Sequence, residues 1–245
     1  MEKVVVVSSN NNPDYRFYEP YVVRAWHNYG WKVAVMLTHD CEPIDNGADY
    51  YISIPNVEGL RLETQAQASR LYAANHLPEA LLMTSDMDLL PLKDYWKPQH
   101  DRITNYGHDL TGFSFFPMGY TAMSTENWRK VMNLTGDTKA DMLRDAHDPT
   151  VKYSPFAGDW ETWWNYDWSL LTNRLTPYDQ RGELQKVLRG NRPGTSFALG
   201  RVDRGDSMQI PNEELYDMHC ENVNVRHPDK LPKFLAIFNK YHGEL

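Results

Sequence analysis

The chain has 245 residues, 41% of them apolar, enough for one large α/β domain or two small ones and too many for a disordered chain. Its 33 acidic residues outnumber 25 basic ones for a formal net charge of −8, the opposite of the balance that holds an extended nucleic-acid backbone. No apolar run approaches the roughly 20 residues of a membrane span. The two cysteines, Cys41 and Cys220, form neither a CxxC motif nor a disulfide framework.

The first residues turn polar too soon for a signal peptide, so a soluble cytoplasmic protein is expected. Val4-Val5-Val6-Val7 is a continuous β-branched run, the pattern of a strand buried on both faces. A polar loop follows over residues 8–14. Val22, Val23, Ala25, Trp26 and Tyr29 then recur at helical spacing, with Pro20 in the first turn and Gly30 as the C-cap. Residues 32–38 read as a second strand and 50–54 as a third. A helix is expected over 60–75, then a strand over 80–85 that stops at Asp86-Met87-Asp88. This alternation predicts an α/β fold with a Rossmann-like, mostly parallel central sheet and helices on both faces.

Beyond Pro91 the pattern loosens. Strands are expected over 110–116 and 120–124, with Met123 and Trp128 as packing residues and a helix over 126–134 opening after Ser124 or Thr125. Residues 136–149 show no strand character. The segment 159–175 is rich in tryptophan and helical in pattern, with Trp160, Trp164, Trp168, Leu171 and Leu175 as a buried stripe. From 177 to 211, charges, glycines and prolines alternate, which suggests loops or a lid. The boundary near residue 95 separates two halves of one domain rather than two domains.

The chemistry centres on the aspartate pair. In an extended segment residues i and i+2 share a face, so Asp86 and Asp88 would aim two carboxylates just beyond a strand's carboxyl end. Open α/β sheets place their ligands there. Two hard oxygen ligands suit Mg²⁺ or Mn²⁺, above all an ion that also holds substrate phosphates. The plain alternative is two acidic residues in an ordinary turn. Against it stand the apolar strand before the pair and Leu89-Leu90-Pro91 behind it, since carboxylates among buried residues are costly without a partner.

Two strand–helix units followed by a strand ending in Ser85-Asp86-Met87-Asp88 resemble the nucleotide-sugar-binding half of GT-A glycosyltransferases, and also small virus-encoded enzymes of that type. The resemblance implies one GT-A-like domain over residues 1–245, with 1–95 binding the donor and 96–245 the acceptor. Asp86 and Asp88 would hold Mn²⁺ or Mg²⁺ on the diphosphate of a nucleotide sugar, with Ser85 beside them and UDP the expected nucleotide. Ser8, Ser9 and Asn10 would line the nucleotide pocket, and Arg61, Thr64 and Arg70 would face the donor. A third metal ligand is expected near the C-terminus, either His219, its ring oriented by Asp217, or His227. Arg201 and Arg204 are further candidates to close over the diphosphate. A viral origin would place the protein in the host cytoplasm.

The same resemblance implies a glycan or glycoprotein acceptor and, for an inverting enzyme, a carboxylate general base from the second half. Asp167 at the head of Asp167-Trp168-Ser169-Leu170-Leu171 suits that part, with Asp159 and Glu161 as rivals. The interleaved tryptophans and carboxylates of this segment suit sugar rings, which offer C–H faces and hydroxyl edges. Two other readings compete. A haloacid-dehalogenase-like phosphohydrolase would use Asp86 as nucleophile, but it normally carries its Asp-x-Asp on the first strand. A non-catalytic carbohydrate-binding module would use the aromatic surface and need neither aspartate nor metal.

Overall fold

The computed structural model describes residues 1–107, 115–189, 200–202, 214–220 and 228–245. Strands β1 (Lys3–Ser9), β2 (Lys32–Leu37), β3 (Tyr50–Ser53), β4 (Leu81–Thr84), β6 (Ile103–Tyr106), β7 (Thr121–Ser124) and β8 (Leu184–Val187) form one sheet in the order β3-β2-β1-β4-β7-β6-β8. Of these, β7 alone is reversed, running antiparallel to both β4 and β6, so the sheet is mostly parallel and its strands come from both sides of residue 95. A second sheet joins β5 (Leu89–Pro91), β10 (Asp217–His219) and β9 (Arg201–Val202) in that order.

The valine run explains the layering. Val4 and Val6 point into one core with Met36, Leu82, Leu71, Tyr72, Trp128 and Leu171. Val5 and Val7 point into another with Val35, Met83, Val22, Trp26, Phe234 and Ile237. Alternation along one strand thus feeds two apolar faces, each covered by helices. On the first face lie α3 (Leu62–Ser69) with the 3-10 turn Arg70–Asn75 that continues it, α4 (Thr125–Val131) and α7 (Tyr166–Gln180). On the second lie α2 (Glu19–His27) and α8 (Leu231–His242). The short α1 (Pro13–Arg16) precedes α2, and α5 (Thr138–Ala146) and α6 (Trp160–Trp164) fall between α4 and α7. No helix among the described residues is long and apolar enough to cross a membrane.

Local signals act as expected at several ends. Gly30 has φ +72°, and its N–H and that of Trp31 donate to His27 and Trp26 carbonyls, closing α2 with a glycine in the left-handed region. Ser124 caps α4 through its side chain, and Trp128 and Met123 are core residues.

The second half of the chain brings two corrections. Residues 136–149, without strand character in the sequence, contain helix α5, capped by Asp137 and burying Asp141 and Asp145. Helix α7 continues through Pro177 to Gln180, because Pro177 lies on the exposed side of the last turn while Leu171 and Leu175 anchor the helix to the core. The tryptophan-rich segment is two helices, not one. Asn165 separates them, its side-chain amide donating to the Glu161 carbonyl at 2.7 Å. Finally, most of the strand expected over 110–116 lies outside the described residues, as do His227 and Arg204.

Candidate active site

At the carboxyl end of β4 the chain does not stay extended. Ser85 still pairs with β1, its N–H donating to Val6 O at 2.9 Å, but the N–H of Leu89 returns to Asp86 O at 3.1 Å. Residues 86–89 are therefore a turn, and the aspartates share a cavity because of that turn rather than because a strand projects them to one face. From it β5 leaves and pairs antiparallel with β10, with His219 opposite Leu89. The N–H of Cys220 donates to Asp88 O at 2.8 Å. This pairing brings His219 Nε2 within 3.6 Å of Asp88 Oδ2.

Asp86 faces a different partner. Arg70, 4% exposed, begins the 3-10 turn after α3 and extends beneath the aspartate loop. Its Nη1 donates to Ser85 O at 2.8 Å and to Asp86 Oδ1, its Nε to Gln67 O at 3.1 Å, and its Nη2 to Asp167 Oδ2 at 3.1 Å. Asp167, in the first turn of α7 and 2% exposed, also accepts from the Trp168 N–H at 2.8 Å. Burial pushes its carboxyl up to about 6, against the pull of Arg70 and with a further push from Asp86. Gly119 makes room for this arrangement. A Cβ there would lie 2.9 Å from Leu89 Cδ1 and 3.3 Å from Asp86 Oδ2.

These groups open onto a cavity of about 430 Å³, a size suited to a small-molecule ligand. Ser8, Ser9 and Asn10 line it from the loop after β1, together with Arg70, Asp86, Asp88, Asp167 and His219. Asp14 and Glu63, which carry no signal in the sequence, also line it, and Trp160 and Trp164 face this cavity instead of the core. α6 buries none of its residues, which overturns the expected apolar stripe over its length.

Several candidates are placed elsewhere. Asp159 is exposed and caps α6, accepting from the Thr162 N–H at 2.9 Å, and Glu161 is exposed on the same helix; neither lines the cavity. Arg61 lies over the Trp163 ring at 5.2 Å, and Thr64 and Ser85 are buried behind the wall. Arg70 lines the cavity, yet its guanidinium is taken up in holding Asp86, Asp167 and the Ser85 carbonyl rather than left to reach a diphosphate. Asp217 accepts from Arg189 and Arg201, each through two nitrogens, and so is committed to them and not to the His219 ring. Burial opposes ionisation of Asp217, but the two guanidiniums outweigh it and hold the carboxyl well below the usual carboxylate range. Arg201 is thereby tied to the second sheet.

Among the described residues, no group of three or more His, Cys, Asp and Glu side chains converges as a metal cage. What exists is an edge, with Asp88 beside His219 and the partly exposed Asp86 across from them. Such a donor set fits an ion that takes its remaining ligands from phosphate and water, as Mg²⁺ and Mn²⁺ do, and not one that requires a closed protein site. No protein-family model matches the chain, and no curated protein shows significant similarity to it.

Proposed function

We propose that the protein is a metal-dependent glycosyltransferase of GT-A type. It would transfer a sugar from a nucleotide-diphosphate sugar, with UDP as the first nucleotide to test, to a hydroxyl of a glycan or glycoprotein acceptor. The observation that carries this reading is the meeting of Asp86, Asp88, His219 and the buried Asp167 with the 8–10 loop on one cavity at the end of β4.

Charge supports a role for metal. Among the described lining residues five carboxylates (Asp14, Glu63, Asp86, Asp88, Asp167) face one guanidinium, Arg70. A diphosphate would meet repulsion there unless a divalent cation reversed the local sign. Asp88 and His219, together with Asp86, would hold that ion, which when bound supplies charge neutralisation for the departing nucleotide. The hydroxyls and amide of Ser8, Ser9 and Asn10 are suited to the nucleoside end.

Asp167 is the base in this reading. A carboxyl that titrates near 6 is mostly ionised at neutral pH and remains basic enough to take a proton from an attacking hydroxyl. Each of its oxygens accepts one hydrogen bond and retains a lone pair. Arg70 holds it in place.

Calorimetric titration with UDP-sugars, with and without Mn²⁺, tests the donor site. Binding should require the metal and vanish when Asp86→Asn and Asp88→Asn are combined. Undiminished binding in that double variant would remove the basis of the proposal.

A further inference from the structure

Helix α6 exposes what most helices of its composition bury. Trp160 is 61% exposed, and its ring stacks on that of Trp164 with centroids 5.6 Å apart and planes at 21°. The two residues, one helical turn apart, form a continuous aromatic surface on the cavity wall. Glu63 lines the same cavity from the first turn of α3, which packs against α6. Its carboxylate is exposed and makes no ion pair among the described residues.

The junction of these helices already joins a cation to an indole. Arg61, two residues before Glu63, rests its guanidinium 5.2 Å from the Trp163 ring centroid. The ring faces of Trp160 and Trp164 carry the same negative quadrupole, and Glu63 adds a full charge to the same cavity. A neutral sugar would gain stacking from this wall but nothing from the charge, and an anionic group would be repelled by it. An ammonium or a planar guanidinium would gain from both.

We infer that Trp160, Trp164 and Glu63 form a binding site for an organic cation, a guanidinium or ammonium group carried by the second substrate. That the cation belongs to a sugar acceptor rests on the glycosyl-transfer reading; the cation site itself does not. Two sources share this chemistry, a basic side chain and an amino sugar.

The test follows the indole N–H resonances of the full-length protein during titration with argininamide and glucosamine, against citrullinamide and N-acetylglucosamine as neutral counterparts. Saturable shifts at Trp160 and Trp164 are expected with a cation, at an affinity about tenfold above that of its neutral counterpart. Glu63→Gln should weaken cation binding about fivefold at low salt, and Trp160→Ala combined with Trp164→Ala should abolish it with the other resonances unmoved. The tighter of the two cations identifies the source. Equal binding of the neutral compounds, no shift at either tryptophan, or full affinity in Glu63→Gln would overturn the inference. Titration of UDP with Mn²⁺ in the same samples separates the two proposals. Absence of cation binding by the unsubstituted protein with UDP binding intact sinks only the cation site, and cation binding without UDP binding sinks only the transferase reading.

Discussion

Replacing Arg70 by methionine would remove the one guanidinium that Asp86 and the buried Asp167 share. The wild-type protein sets the baseline. Asp167 titrates at about 6 in the fold and at about 3.9 in an unfolded chain, a gap worth roughly 3 kcal/mol. The folded carboxyl holds its proton more tightly than the unfolded one, so this stability is present below pH about 4 and is lost as the pH rises to about 6. Arg70 opposes that loss by favouring the ionised form, so without it the carboxyl should titrate above 6 and the loss should extend into the neutral range. At pH 8 Arg70→Met strands a buried carboxylate and should cost about 3–5 kcal/mol. At pH 5 Asp167 is largely protonated in both proteins, and the cost should shrink to roughly 1–2 kcal/mol for the hydrogen bonds lost by the Ser85 and Gln67 carbonyls. Urea unfolding from pH 4 to 9 reads the difference, with Asp167→Asn in the same background removing the slope. A cost independent of pH, or an Asp167 carboxyl that titrates below 4, would refute the reasoning.

The remaining predictions concern groups around the cavity. Gly119→Ala puts a methyl within 2.9 Å of Leu89 and 3.3 Å of Asp86, so it should displace the aspartate loop and weaken Mn²⁺-dependent nucleotide binding about tenfold, read by calorimetry, while stability falls by about 1–3 kcal/mol. Asp159→Ala removes the α6 cap, so amide exchange at residues 160–163 should accelerate while turnover chemistry keeps its pH profile; a lost acid-side limb in that profile would move the base role to Asp159.

What the sequence revealed about this molecule was mainly what depends on neighbours along the chain. Four valines, a glycine after a helix and an apolar run ending in aspartates are local patterns, and they located the parallel sheet, the end of α2 and the cavity mouth. Features that depend on remote partners were hidden. The burial of Asp141 and Asp145 has no local signal, because Arg144, Arg174 and Tyr72 satisfy them only within the fold. His219 was a candidate on resemblance alone. The antiparallel pairing of β5 with β10 explains its position, and nothing local announces a three-residue strand. The tryptophan spacing supported one buried helix, since the break at Asn165 rests on a single side-chain bond to the backbone. Arg70 stands in the sequence as a ligand contact, because burial of an arginine between two carboxylates leaves no signature in spacing.

Glycosyl transfer breaks the bond between the anomeric carbon and the diphosphate oxygen, and a product analysis reports which bond of the donor is cut. The protein is incubated with a panel of nucleotide sugars and Mn²⁺, and the nucleotide products are separated. Release of an intact nucleoside diphosphate from at least one donor is expected, dependent on the metal and lost in Asp88→Asn. Inorganic phosphate as the product, released by a reaction that needs Asp86 as nucleophile, would contradict it and favour the phosphohydrolase reading.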